Sequence, residues 1–164
     1  MRNLRMKIAY HGAKYSGWQV QPNVPTVQGT IETILERMTQ TPVRLRAAGR
    51  TDAGVHALGQ LANFRTDSTI TLLRFHRGLN SLLPADISIV AMDEVALDFD
   101  SRRHNHGKHY RYRVFTRREP SVLEQGTSYH LYRELDIAKM VREARQLVGR
   151  HDFAAFRAID CDRE

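Results

Sequence analysis

Residues 4–10 read LRMKIAY. Apolar side chains occupy every second position of this stretch, and Arg5 and Lys7 stand between them. A period of two residues is typical of a strand that buries one face and leaves the other in solvent. The pattern predicts a first strand whose core face comprises Leu4, Met6, Ile8 and Tyr10.

Two helices and three further strands are predicted before residue 98. Thr26 can cap the first helix, which Pro42 limits, and Pro84 stops the second helix. Strands are predicted within 43–47, 61–64 and 87–95. The apolar faces of the helices comprise Val27, Ile31, Ile34, Leu35 and Met38 in the first and Leu72, Phe75, Leu79, Leu82 and Leu83 in the second.

The order strand, helix, strand, strand, helix, strand is that of the ferredoxin-like split βαβ fold, an α+β class with a mainly antiparallel sheet. We therefore expect an N-terminal domain over 1–98, a linker over 99–106 and the start of a second, similar α+β domain over 107–164. In that second part Tyr110, Tyr112 and Val114 alternate with arginines, and Asp136 can cap a third helix that Gly149 ends.

The second part is too small to be stable alone, because one strand and one helix bury little apolar surface. Either it packs on the first domain or the chain lacks a C-terminal continuation. We favour the missing continuation.

The composition and charge of the chain narrow the range of functions that it can have. The net charge is +7, and a run of basic residues mixed with histidines and tyrosines lies within 102–118. Such a surface suits nucleic acid, although a solvated basic face is the simpler alternative. There is one cysteine, Cys161, for which we expect a structural role, and there is no apolar run of membrane-spanning length. These features indicate a cytoplasmic protein without a membrane partner.

The segment GRTDAGVHALGQ, residues 49–60, is predicted to be a loop that carries chemistry. It places Asp52 two residues after Arg50, between Gly49 and Gly54, with His56 beyond. A glycine-flanked loop can hold one ionised carboxylate in a fixed pose. The alternative is that Asp52 only bonds to the backbone of its own turn.

A possible metal motif is formed by His104, His106 and His109, with the spacing H-x-H-x-x-H. In an extended segment the third histidine points away from the first two, and no cysteine or carboxylate lies close enough in sequence to complete a ligand shell. We therefore expect no metal site, and we expect these histidines to extend the basic surface.

Five sequence blocks together resemble the tRNA pseudouridine synthase A family. They are YHGAKYSGWQVQ at 10–21, GRTDAGVHALGQ at 49–60, LPADI at 83–87, KHYRY at 108–112 and HDFAAF at 151–156. The resemblance implies two similar α+β domains with a basic cleft between them, roughly 250 or more residues in all. The sequence departs from the family at His11, where an acidic residue is usual, and in SRRHNHG before the fourth block, which is unusually basic. The family's later motif with another active-site arginine is absent.

The resemblance implies that Asp52 is the catalytic carboxylate, which either attacks the sugar or removes a sugar proton. It implies that Arg50 keeps Asp52 ionised or braces the RNA backbone. Tyr110 is implied to stack on the target uracil and to assist proton movement. No metal and no organic cofactor are implied. His56 is expected to close the loop by a hydrogen bond, Trp18 to fix the early loop, and Tyr112 to be a core residue.

Two functions follow as alternatives. The first is an isomerase that converts uridine to pseudouridine in the anticodon stem-loop of tRNA and, as the family implies, acts as a homodimer. The second is a catalytically inactive, truncated RNA-binding module.

Overall fold

The computed structural model of the chain describes residues 1–156, so that Cys161 lies outside the described residues. The chain divides into two compact units, one of Met1–His109 and one that begins at Tyr110. We call them the first unit and the second unit and describe each by itself. Among the residues described, no helix is long and apolar enough to cross a membrane.

The first unit is an antiparallel sheet with two helices. Its elements are β1 (Arg2–Tyr10), α1 (Val27–Thr39), β2 (Arg46–Ala47), β3 (Ala57–Thr66), α2 (Leu72–Leu82) and β4 (Ile87–Val95). The strands lie in the order β2-β3-β1-β4, and every neighbouring pair is antiparallel. The predicted α+β class, with a mainly antiparallel sheet, is confirmed.

One face of the sheet packs against both helices and forms the core. The alternate residues Leu4, Met6 and Ile8 of β1 are fully buried there, as the period of two predicted. Across the core, Phe64 of β3 meets Phe75 of α2 edge to face, with ring centroids 6.0 Å apart. The prediction is wrong for Leu82, which is 38% exposed, because it falls in the last turn of α2 where the buried stripe has ended.

Hydrogen-bonded caps begin both helices. The Thr26 side chain accepts from the Gly29 N–H, and the Thr71 side chain accepts from the Arg74 N–H. These bonds satisfy backbone donors that have no partner within the helix. The predicted start of α1 at Thr26 is therefore confirmed.

β2 is shorter than its sequence pattern predicted. Val43 and Leu45 are buried, but only Arg46–Ala47 pairs with β3. The Leu45 N–H instead donates to the Glu32 Oε1 of α1 at 2.8 Å, and the Leu45 carbonyl accepts from Gln28 Nε2 at 3.4 Å. Side chains of the helix therefore take the place of strand partners, because a buried backbone group must bond to something.

The opposite face of the sheet holds the chain that follows β4. Asn3 Nδ2 donates to the carbonyls of Ala96 and Phe99, both at 2.9 Å. Asn63 Nδ2 donates to Asn3 Oδ1 at 2.9 Å, and Asn63 Oδ1 accepts from the Ser101 N–H at 2.9 Å. The residues predicted as a linker, 99–106, thus lie in the first unit, and their first part is bonded to its sheet.

The second unit contains a small parallel sheet and one helix. Its elements are β5 (Val114–Thr116), β6 (Tyr129–Leu131) and α3 (Ile137–Arg145), with β5 and β6 paired in parallel. Asp136 caps α3 by accepting from the Lys139 N–H, as predicted, but no residue of α3 is buried. The predicted strand begins only at Val114, and Tyr112, predicted to be core, precedes it and is 91% exposed.

We predict that Asn63→Ala destabilises the first unit by about 1–3 kcal/mol, since it leaves the Ser101 N–H and the Asn3 carboxamide without their buried partner. The midpoint of urea unfolding measures the effect. Gln21→Ala is the control, because it removes a side-chain bond to the Ser16 carbonyl at an exposed position. Equal midpoint shifts in both variants would contradict the structural role of the Asn3–Asn63 pair.

Candidate active site

The loop between β2 and β3, residues 48–56, carries the candidate catalytic residues. β3 begins at Ala57, so the last four residues of GRTDAGVHALGQ lie in a strand and not in the predicted loop. At the loop's entrance the Ala48 N–H donates to the Leu61 carbonyl at 2.8 Å. Gln60 Nε2 donates to the Gly49 carbonyl at 2.5 Å. We refer to residues 48–56 as the catalytic loop.

The chain segment 10–18 holds the catalytic loop mainly by its backbone. The Trp18 N–H donates to the Thr51 carbonyl at 2.9 Å, and the Gly54 N–H donates to the Tyr15 carbonyl at 3.3 Å. The hydroxyls of Tyr10 and Thr51 share a hydrogen bond of 2.8 Å. Bonds on both sides of Asp52 therefore fix the backbone from which its carboxylate projects. The predicted structural role of Trp18, which is almost fully buried, is confirmed.

Two glycines of this segment allow the close approach. A Cβ on Gly17 would lie 2.7 Å from the Thr51 carbonyl oxygen, and Gly17 has a φ of +91° that disfavours other residues. A Cβ on Gly12 would overlap the Val55 carbonyl oxygen. Any side chain at either position would push the segment away from the catalytic loop.

His56 ends the catalytic loop with a hydrogen bond. Its Nδ1 accepts from the Gly12 N–H at 3.0 Å, which confirms the predicted loop-closing role. The His11 ring lies beside it, with ring centroids 4.2 Å apart. His11 therefore contacts the end of the catalytic loop through its ring.

A second layer supports segment 10–18. The Tyr15 hydroxyl donates to Asp86 Oδ1 at 2.7 Å, and the His11 N–H donates to the Asp86 carbonyl at 2.8 Å. Burial, and then the hydrogen bond and charge of Asp86, raise the pKa of Tyr15, so its phenol stays protonated as the donor. The sequence placed Asp86 in the LPADI block but offered no signal of this contact.

The Asp52 carboxylate is exposed and is not used by its own turn. The turn is closed by the backbone, where the Val55 N–H donates to the Asp52 carbonyl at 3.2 Å. Over residues 1–156 the carboxylate forms no hydrogen bond or ion pair, so the alternative that its side chain only caps the turn does not hold. Arg50 is also exposed, and it makes no ion pair with Asp52. Both groups are accessible to a substrate.

Lys108 is a cation beside the catalytic loop that the sequence did not single out. Its Nζ lies 2.6 Å from where a Cβ would stand on Gly49. Of the two glycines that flank Asp52, Gly54 has a positive φ of +79° and Gly49 does not. The space above Gly49 is therefore occupied by the Lys108 side chain, which adds a positive charge next to Arg50. The sequence signals were the KHYRY block and the basic run within 102–118, both of which include Lys108.

Tyr110 is the first residue of the second unit, and its side chain is 65% exposed. The three histidines of H-x-H-x-x-H lie just before it. In residues 1–156, no group of three or more His, Cys, Asp or Glu side chains is arranged to hold a metal ion.

Comparison with known proteins identifies the family to which the chain belongs. The sequence profile described as tRNA pseudouridine synthase matches residues 6–102. The chain is 48% identical over 161 residues to tRNA pseudouridine synthase A of Myxococcus xanthus, a match over 98% of this chain and 61% of the relative. It is 48% identical over 161 residues to tRNA pseudouridine synthase A of Geotalea uraniireducens, over 98% of this chain and 66% of the relative.

The enzyme of the same name from Acetivibrio thermocellus is 47% identical over 158 residues, a match over 96% of this chain and 65% of the relative. The chain thus spans slightly less than two thirds of the length of these relatives. Because the family profile matches more than half of the chain, the chain belongs to the tRNA pseudouridine synthase family.

Proposed function

We propose that this chain is the part of a tRNA pseudouridine synthase that carries the catalytic carboxylate, and that the protein isomerises uridine to pseudouridine in the anticodon stem-loop of tRNA. The observation that carries the proposal is Asp52, whose accessible carboxylate stands on a loop held by backbone bonds on both sides. The names of the relatives, tRNA pseudouridine synthase A, support the choice of substrate. The protein acts in the cytoplasm as a homodimer.

The reaction breaks the bond between N1 of uracil and C1′ of ribose and forms a bond from C1′ to C5. The proton on C5 leaves to solvent, and N1 gains a proton, so no electron acceptor is needed. Asp52 either attacks C1′ and forms a covalent sugar ester, or removes the proton from C2′; both routes need the ionised carboxylate.

Arg50 and Lys108 supply positive charge on one side of Asp52. A uridine must leave its base stack to reach the carboxylate, and its flanking phosphates must then be held. The planar guanidinium of Arg50 can hold a phosphate through two parallel hydrogen bonds, and the Lys108 ammonium beside Gly49 adds a point charge. Tyr110 stacks on the uracil and assists the transfer of the C5 proton.

A second candidate function is a non-catalytic RNA-binding module, which the net charge of +7 favours. Fusing the C-terminal part of the Myxococcus xanthus relative to this chain separates the two. If the fusion forms pseudouridine in tRNA, the chain is part of an enzyme. If it binds tRNA but forms none while the Myxococcus xanthus protein is active, the module is the better description.

We predict that Asp52→Ala in the active fusion lowers the rate by about 10²–10⁴-fold or more, because the carboxylate acts directly on the sugar. The release of tritium from C5-labelled tRNA measures the rate. Asp67→Ala is the control, since Asp67 is an exposed carboxylate that pairs only with the chain's N-terminus. Tritium release by Asp52→Ala at the parental rate would refute the assignment.

We predict that Arg50→Lys lowers kcat/KM by about 10- to 100-fold, the equivalent of roughly 1.5–3 kcal/mol for one hydrogen bond to a charged group. The charge is retained, but a lysine cannot reproduce the planar fork. Arg37→Lys, at an exposed position of α1, is the matched control and should have no effect. Unchanged kinetics in Arg50→Lys would show that only charge matters at this position.

We predict that Tyr110→Phe keeps tRNA affinity within about threefold but lowers kcat by about 10²-fold, because the ring still stacks and the phenol is lost. Tyr110→Ala should also weaken binding, since stacking of one base contributes about 1–3 kcal/mol. Single-turnover rates and equilibrium binding separate the two effects. A Phe variant as fast as the parent would leave Tyr110 with stacking alone.

A further inference from the structure

An open groove of about 710 Å³ lies next to the chain that follows β4, in the first unit. Its wall is formed by Arg5 on the sheet face opposite to the helices and by residues of the segment 95–106. The lining residues used here are Arg5, Asp98, Phe99, Arg103, His104 and His106. The groove contains His104 and His106, two of the three histidines of the H-x-H-x-x-H spacing.

A row of three stacked groups makes the wall rigid. Asp93 holds Arg5 by two hydrogen bonds, of 3.0 Å and 2.6 Å, and the guanidinium lies 5.4 Å from the centre of the Phe99 ring. The His104 ring stacks on Phe99, with centroids 5.5 Å apart and an interplanar angle of 28°. Because Arg5 is already paired with the Asp93 carboxylate, it stabilises the wall of the groove and does not supply an unpaired charge to it.

The orientation of His104 leaves a donor available. Its Nδ1 accepts from the Asp100 N–H at 3.0 Å, so the N–H of the neutral ring is at Nε2. The ring is exposed. A group with acceptor oxygens that enters the groove can therefore bond to His104 without disturbing the stack.

The groove contains both a cation, Arg103, and an exposed carboxylate, Asp98. Arg103 is exposed and, over the described part of the chain, forms no ion pair. Of the nearby carboxylates, Asp98 lines the groove, while Asp100 is engaged by the Arg102 N–H at 2.8 Å and by Arg46 at 3.1 Å. Burial alone would raise the pKa of Asp100, but these hydrogen bonds outweigh it and lower that pKa, so Asp100 is ionised and already paired.

The same segment connects the groove with the catalytic loop. Residues 103–106 line the groove, and two residues later the Lys108 ammonium lies over Gly49. A polyanionic strand that follows the segment therefore meets Arg103, His104 and His106 first and Lys108 beside the loop.

We infer that the groove at Arg103, His104 and His106 is a phosphate-binding subsite for an RNA strand, outside the catalytic loop. The inference rests on the proposed function, because it takes tRNA as the RNA that binds. The subsite adds affinity through phosphate contacts and takes no part in the chemistry at Asp52. It reads no base, because side chains that contact phosphates carry no sequence information directly.

The test is the salt dependence of tRNA binding by the chain. Each phosphate contact that is lost lowers the slope of log Kd against log salt by about 1. We expect Arg103→Ala combined with His106→Ala to lower the slope by about 1 and to weaken binding severalfold at low salt. The probe is an unmodified tRNA transcript, and circular dichroism checks that each variant is folded.

A matched control lies on α2, where Arg77→Ala combined with His76→Ala removes the same two residue types from the helix side of the sheet. Its slope should equal that of the parent. Arg103→Lys should restore the parental slope, since any cation serves a phosphate. An unchanged slope in the groove variant, or an equal change in both double variants, would overturn the subsite.

The result of the salt-dependence test does not depend on whether the fusion is catalytically active. A groove variant with a lower slope supports the subsite even if the fusion forms no pseudouridine, in which case only the proposed enzymatic function fails. An active fusion whose groove variant keeps the parental slope overturns the subsite and leaves the enzymatic function standing.

Discussion

The close approach of two backbones, segment 10–18 and the catalytic loop, is the constraint on which the candidate site depends. The Trp18 N–H and the Tyr15 carbonyl bond to the loop on either side of Asp52. Gly12 and Gly17 make this possible because a Cβ at either position would meet a carbonyl of the loop. Asp52 can then remain unpaired, since the loop does not need its side chain to hold its shape. A carboxylate that is rigidly placed but chemically free is suited to act on a sugar.

The two faces of the sheet in the first unit make different contacts. Its helix-covered face holds the core, where the alternate residues of β1 are fully buried. Its other face holds a pair of buried asparagines that bond to the chain after β4 and so direct that chain along the sheet. That chain carries the groove residues and ends with Lys108 beside Gly49. The asparagine pair therefore helps to position the segment that carries the basic residues near the catalytic loop.

Much of the first unit could be predicted because its patterns are local. The alternation in β1, the cap at Thr26 and the spacing of apolar residues in α1 all describe contacts made within a few residues of the chain. Predictions failed where the outcome depends on residues that are distant in the sequence. The Leu45 N–H donates to the Glu32 side chain and not to a strand, so that β2 is shorter than predicted. Tyr112 was expected to be buried, but its side chain is exposed. In both cases the sequence near the residue contains no trace of the cause.

By itself, the sequence determined the α+β class, the position of the catalytic loop and the residues Arg50, Asp52 and Tyr110 as candidates, because motifs and periodicities are properties of neighbouring residues. Only the tertiary structure decided that Asp52 and Arg50 do not pair, that His56 closes the loop on Gly12, and that Lys108 lies over Gly49. It also decided that the His104 ring stacks on Phe99. These are contacts between residues far apart in the chain or between groups whose orientation the fold sets, and periodicity and spacing do not encode them.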